Sequence, residues 1–182
     1  MEKERRRLFE LIKQKSFIYR EYPPFTLVSG KQSPYYFNCK ATTLEPEGCY
    51  LIGKLMFDKI KDLEINAVGG LTLGADPISL SISMEAFRTE RIIYPLIVRK
   101  EPKKHGTQKW IEGNLDGVKN VIAIDDVITT GNSTIQAIER MRESGLDVNT
   151  ALVIIDREEG GKENIEAMDV EVISLFKKTE FN

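Results

Sequence analysis

The fold class this sequence predicts is α/β, a mainly parallel sheet flanked by helices, and three observations predict it. Strand patterns recur at Ile65–Val68, Ile92–Val98, Val121–Ile124 and Val148–Ile155, and the four consecutive apolar residues of Val121–Ile124 suit a strand buried on both faces. Segments with apolar residues at helical spacing alternate with them, the order of a sheet whose strands are joined by crossover helices. Loops rich in glycine, hydroxyl or charged residues follow the runs, at Gly69–Pro77, Arg99–Asn114 and Thr129–Ser133. Ligands of such sheets bind outside the carboxyl ends of the strands, so function is expected in these loops.

Composition bounds the possibilities. With 182 residues, 41% hydrophobic and 30% charged, the chain suits one domain with a sizeable core. About 1–45 form an N-terminal section and about 46–182 the α/β core. A net charge of −2 argues against general nucleic-acid binding, although a few local cations suffice for an anionic substrate. The two cysteines, Cys39 and Cys49, lack metal-ligand spacing and are too few for a disulfide framework. With no signal peptide they read as reduced thiols of a cytoplasmic protein. No apolar run approaches the ~20 residues of a spanning helix, so no membrane role is expected.

In chain order, Glu2 to Phe17 reads as an amphipathic helix with Leu8, Leu11, Ile12 and Lys15 at helical spacing. Its Arg5–Arg7 run is interrupted by Glu2, Glu4 and Glu10 nearby and reads as a solvated face. Thr26–Val28 and Pro34–Phe37 read as the arms of a hairpin turning at Ser29-Gly30. Thr43–Asp62 is a helix with Pro46 in its first turn and Leu51, Ile52, Leu55, Met56 and Ile60 facing inward. After the Ile65–Val68 strand, Asp76 and Pro77 suit the N-cap and N1 of a helix running to about Phe87. Pro95 pulls the next strand toward an edge or a bulge. A helix carrying Ile135, Ile138 and Met141 ends at Gly145, a C-cap. Lys162–Met168 is a short helix and Val170–Phe176 a closing strand.

The chemistry concentrates after Val121–Ile124. Asp125 and Asp126 are expected at the end of that strand, followed by Thr129-Thr130-Gly131-Asn132-Ser133 and a helix start. Backbone N–H groups at a helix start attract phosphate, hydroxyls add donors, and carboxylates accept hydrogen bonds from sugar hydroxyls. Read alone, this pattern is equally a polar turn. Gly69–Pro77 alone suits a structural turn, Arg99–Gly106 a solvated charge run, and Arg157 a surface ion pair. His105, the only histidine, has no metal-site or triad partner in view.

Together these strings resemble a known family. VIAIDDVITTGNST resembles the phosphoribosyl-pyrophosphate (PRPP) signature of the type I phosphoribosyltransferases. FTLVSGKQSPYYF resembles the hood of the orotate phosphoribosyltransferases, GLTLGADP their pyrophosphate loop, RKEPKKHG their lid, and DREEGG their Asp-Arg-x-x-Gly-Gly element. The resemblance runs from about Phe25 to Gly161. It implies the type I phosphoribosyltransferase fold and transfer of a phosphoribosyl group from PRPP to orotate in UMP biosynthesis. No decarboxylase of the kind fused to this enzyme in some organisms is expected.

It further implies that Lys103, His105, Asp125 and Asp126 are catalytic. PRPP would be held by Arg99, Lys100, Lys103 and His105 and by Asp125, Asp126, Val127, Ile128, Thr129, Thr130, Gly131, Asn132 and Ser133. Thr72, Leu73 and Gly74 would form the pyrophosphate loop. Orotate would meet Ser29, Gly30, Tyr36, Phe37, Thr129 and Arg157. Mg²⁺ would be held mainly by the substrate, and a homodimer would share the lid, residues 99–114, across its interface. The sequence departs from some members at Val28 and Leu73, where those carry lysines. A purine phosphoribosyltransferase, or a non-catalytic PRPP sensor of the same fold, stands as the alternative.

Overall fold

Helix α1, Glu2–Lys15, buries Leu8, Leu11 and Ile12 and stops at Ser16, two residues short of the expected end. The structure, a computed structural model, describes residues 1–26, 30, 32–102 and 110–181. Phe17 leaves the helix because its ring joins an aromatic cluster, 5.2 Å from Phe37, 5.7 Å from Tyr35 and 5.7 Å from Phe181. It opens strand β1, Phe17–Tyr19.

The expected single hairpin is two small sheets. Strand β2, Phe25–Thr26, pairs antiparallel with β3, Gln32–Ser33, while β4, Tyr35–Phe37, pairs back with β1. The exchange of partners falls at Pro34, which has no N–H for a ladder and whose carbonyl accepts from Arg20 N instead. A single turn, α2 (Lys40–Thr43), leads into α3, Pro46–Ile60. Glu45 caps α3 by accepting from Gly48 N at 2.7 Å, and Pro46 occupies the first turn as expected.

Strand β5 is Ala67–Leu71, so Gly69 and Gly70 belong to the sheet and not to the glycine loop. Close packing requires them there: a Cβ on Gly70 would lie 1.9 Å from the Ile124 carbonyl oxygen. Helix α4 is Asp76–Arg88, with Ala75 at the N-cap and Asp76 one step inside, where it accepts from Thr72 Oγ1 at 2.6 Å. Strand β6, Tyr94–Val98, pairs with β5 along its length, but β7, Ile111–Glu112, covers only its Ile97 and Val98. Pro95 therefore sits on the uncovered edge, where its missing N–H costs nothing.

The remaining elements are β8 (Asn120–Ile128), α5 (Asn132–Glu143), β9 (Asp147–Asp156), α6 (Gly161–Glu166) and β10 (Glu171–Lys177). Helix α5 ends as expected. Gly145, at φ +85°, donates to Arg142 O while Leu146 donates to Met141 O, the paired bonds of a Schellman cap. A closing 3-10 turn, Lys178–Phe181, drives Phe181 into the aromatic cluster.

The sheet order is β10-β9-β8-β5-β6-β7, parallel throughout except for β7. Alternate residues of β8 explain its unbroken apolar run. Ile122 and Ile124 pack under α1, α3 and α4 with Ile52, Met56 and Ile82. Val121 and Ala123 face α5 and α6 with Ile138, Met141 and Ile165. Burial on both faces leaves no position for a polar residue until the strand nears its carboxyl end. No helix among the described residues is long and apolar enough to cross a membrane.

Candidate active site

Strand β8 does not end before its acidic pair. Asp125 stands opposite Val153 and Val127 opposite Ile155, so the carboxylates leave the sheet from within the ladder. A ladder position holds them more rigidly than a loop would. Asp125 is buried; its Oδ2 accepts from Thr134 Oγ1 of α5 at 2.7 Å, and its Oδ1 from Asp126 N at 2.9 Å. Burial, followed by the charge of Asp126, pushes the Asp125 carboxyl up to about 7, against the opposing pull of the Thr134 hydroxyl and the Asp126 amide. Asp126 receives Val127 N at 3.0 Å and Lys40 Nζ at 3.4 Å. Gly74 makes room for both: a Cβ there would lie 3.0 Å from Asp126 Oδ1 and 3.5 Å from Asp125 Oδ1.

Two adjoining cavities share Asp125 and Ser133. One, of about 180 Å³, is lined by Asp125, Val127 and Thr129–Ser133. Its floor is the start of α5, whose first N–H groups have no helical acceptor and whose first turn carries no acidic residue. Gly131 opens that helix at φ +80°, and a Cβ there would lie 2.9 Å from the Gly161 carbonyl oxygen. The loop is thus pressed against α6, which gives Gly161 a packing role, while Gly160 supplies a left-handed turn at φ +93°. The arrangement suits a monophosphate. The second cavity, also about 180 Å³, brings together Thr72, Leu73, Gly74, Lys100, Asp125 and Asp126, with Lys40 beside them. Ile128 is the exception within the loop region: its side chain is core, it ends the ladder with β9, and its carbonyl accepts from Arg157 N at 3.0 Å.

Arg157 is no surface ion pair. It is 2% exposed, at the end of β9, and bridges to the hood by donating to Ser33 Oγ at 3.2 Å. Its Nη2 and Nε also donate to Glu159 Oε1, at 2.9 and 3.1 Å. The Phe37 ring lies 6.0 Å from the guanidinium carbon, but that ring is buried in the aromatic cluster and supports Arg157 from the core side. Tyr36, half exposed, stacks on Phe25 at 5.4 Å. Gly30 adopts φ +80°, as a turn glycine should. Ser29, Lys103 and His105 lie outside the described residues.

The ends of the 99–114 stretch are tied together. Arg99 N donates to Trp110 O at 2.9 Å, and Arg140 of α5 donates to the Arg99 and Lys100 carbonyls at 2.6 and 3.2 Å. The Arg140 guanidinium also lies over Trp110, 4.3 Å from its ring centre. Lys100 lines the second cavity, whereas the Arg99 side chain pairs with Glu112 at 3.2 Å and lines a neighbouring cavity with Thr72 and Lys100. Cys39 is no nucleophile: burial and the Asp126 charge push its thiol well above the usual range.

Lys40, Thr134, Glu159 and Arg140 belong to the site or its supports and escaped the sequence reading. Thr134 and Glu159 fall within the quoted strings and Lys40 and Arg140 outside them, but in each case the contact that matters is made only in the folded chain. A larger cavity, about 640 Å³, opens between α3 and α4 beside Cys49, Tyr50, Met84 and Phe87, without contact to the acidic pair.

No protein-family model matches the chain. It is 46% identical over 177 residues to an orotate phosphoribosyltransferase of Aquifex aeolicus (strain VF5), covering 97% of each chain. A crystal structure of Mycobacterium tuberculosis H37Rv orotate phosphoribosyltransferase superposes with a TM-score of 0.84 at 34% identity, covering 98% of this chain and 99% of that one. The same Mycobacterium enzyme in complex with PRPP gives a TM-score of 0.79 at 31% identity, over 98% of both chains. On sequence, fold and the geometry at the end of β8, this chain belongs to the orotate phosphoribosyltransferase family.

Proposed function

We propose that the protein carries out its family's reaction: PRPP and orotate give orotidine 5′-monophosphate and pyrophosphate, a step of pyrimidine synthesis in the cytoplasm. The observation that carries this reading is the acidic pair, with buried Asp125 at the junction of two polar cavities and half-buried Asp126 facing the second. One cavity is floored by a helix start, and the other is flanked by Lys100 and the Thr72–Gly74 loop. A sugar carrying a phosphate at one end and a diphosphate at the other has this distribution of charge.

The division of labour follows from the chemistry of each group. The 5′-phosphate takes the N–H groups and hydroxyls of Thr129–Ser133, and Val127 and Ile128 contribute backbone only. Asp125 and Asp126 accept from the ribose hydroxyls. Their negative charge stands beside the ribose carbon whose bond to diphosphate breaks as positive charge develops there. Thr72, Leu73 and Gly74 receive the diphosphate on backbone groups, with Lys100 and, from the lid, Arg99, Lys103 and His105 neutralising it as it leaves. Orotate lies between the hood, through Ser29, Gly30, Tyr36 and the Phe37 backbone, and Arg157 with Thr129. The planar fork of Arg157 matches the orotate carboxylate.

Mg²⁺ fits this donor set. The described residues hold no cluster of three or more His, Cys, Asp or Glu side chains, but an adjacent carboxylate pair beside a diphosphate cavity suits an ion that binds through substrate oxygens and waters. Bound there, the ion would supply further neutralisation of the diphosphate. Residues 1–182 act as one unit in this reading, the first 45 or so closing over the floor that the rest provides.

The working form is a homodimer whose 99–114 lid reaches the partner's site. Supporting this, α3 and α4 expose Tyr50, Leu80, Met84 and Phe87, the last two 71% and 76% accessible. Helix α4 starts two residues after Gly74, so a copy seated along it stands beside the site.

Incubation with PRPP and Mg²⁺ plus orotate, uracil or hypoxanthine in turn, following pyrophosphate release, tests the reaction. Turnover with orotate alone is expected. Turnover with hypoxanthine would make the protein a purine enzyme, and none with any base would leave PRPP sensing.

A further inference from the structure

Lys40 has no place in the motifs, yet its ammonium stands in the second cavity, 3.4 Å from Asp126 Oδ2 and among Thr72, Gly74, Lys100 and Ser133. Its backbone is locked. Cys39 and Thr42 on either side are buried, Asn38 N donates to Ser16 O at 2.8 Å, and the Ser16 and Thr42 hydroxyls meet at 2.6 Å. The side chain itself is 46% exposed and free to move its charge a few ångströms from a fixed root.

Charge decides what that root is for. The cavity carries two carboxylates, and its Thr72-Leu73-Gly74 wall brings no cation, with Leu73 exposing an apolar side chain instead. A diphosphate entering it meets repulsion from the acidic pair, chiefly from Asp126, unless cations answer it. Lys100 is one, from the β6 side, and Lys40 approaches from α2. We propose that Lys40 is a diphosphate-binding residue. In the empty site its ammonium neutralises Asp126, and with substrate present it bridges Asp126 and the diphosphate of PRPP, replacing cations that the loop lacks. The inference rests on assigning this cavity to the diphosphate.

Calorimetric titration with inorganic pyrophosphate in Mg²⁺, and separately with ribose 5-phosphate, tests it on Lys40→Met, Lys40→Arg and the wild type. Lys40→Met is expected to weaken pyrophosphate binding about ten- to a hundred-fold, the scale of one hydrogen bond to a charged group. Lys40→Arg keeps the charge and is expected to stay within about threefold, and ribose 5-phosphate within about twofold in both variants. The loss from Lys40→Met must also persist in an Asp126→Asn background. If it vanishes there, Lys40 serves Asp126 alone, and the proposal fails. Unchanged pyrophosphate affinity in a folded Lys40→Met also overturns it while the cavity assignment stands. A wild type that binds ribose 5-phosphate but not pyrophosphate refutes that assignment itself, and the proposal with it.

Discussion

Asp125 shows most directly how one residue sets fold stability and activity against each other. Its carboxyl, raised from 3.8 to about 7, keeps a proton in the fold that the unfolded chain releases near pH 4. The folded state therefore binds more protons between those values, and stability from this group, full below about pH 4, is lost as pH rises through 7. Asp125→Asn, which preserves shape, should remove that slope. Calorimetric melting of the substrate-free protein is expected to show the variant gaining on the wild type from pH 5 to pH 8, by a few kcal/mol in order of magnitude. The same variant should lose most of its turnover, because the charge beside the ribose is gone. A parallel pH dependence in both proteins would refute the assignment. Arg157 carries the second residue-scale prediction. Arg157→Lys keeps a cation beside Glu159 but not the planar fork. The KM for orotate should rise about tenfold, the KM for PRPP by less than about twofold. Equal losses would make Arg157 a structural bridge between hood and sheet.

At the scale of elements, α5 joins two parts of the machinery. Its first turn floors the cavity proposed for the phosphate, and Arg140, near its last turn, holds the Arg99 and Lys100 carbonyls and Trp110. Arg140→Ala frees both arms of the 99–114 stretch from the helix. We expect the KM for PRPP to rise several-fold and kcat to fall, with melting lowered by only about 1–2 kcal/mol, since the lost bonds lie at the surface. An unchanged KM would show that the lid base needs no anchor. Element boundaries also show where sequence patterns mislead. Phe17 carries on the apolar spacing of α1 but is claimed by the aromatic cluster around Phe181, at the far end of the chain. Gly69 and Gly70 look like a loop, yet they sit in a strand because Leu96 and Ile124 press against them. Gly145 and Pro46 were readable because a Schellman cap and a first helical turn are decided within a few residues.

For the whole molecule, the question is whether one chain completes its own site. Lys103→Ala and Asp125→Asn variants should each be nearly inactive alone. In the proposed homodimer, mixing with subunit exchange gives dimers in which one site combines an intact Asp125 with an intact partner lid. Activity should then return to about a quarter of the wild-type value per site if exchange is random. No recovery, with mixed dimers shown by mass spectrometry, would place each lid over its own site. Met84→Glu, on the apolar face of α4, should give a monomer in sedimentation, since a charge there is left without a partner in the interface.

Most of the α/β order was legible in the chain, because burial on both faces imposes unbroken apolar runs and crossover helices impose their own period. That the acidic pair, the small-residue loop and Arg157 gather at the carboxyl end of the sheet was legible as well, since local sequence sets each near a strand end, although the pair stands inside the β8 ladder and not after it. Tertiary structure alone could decide the rest. The swap of hairpin partners at Pro34, the pairing of Arg99 with Glu112, the Thr134 bond that holds Asp125, and the arrival of Lys40 beside Asp126 all join residues of different elements. Periodicity and capping act over a few residues. The pairing of charges across a cavity depends on where the sheet carries them.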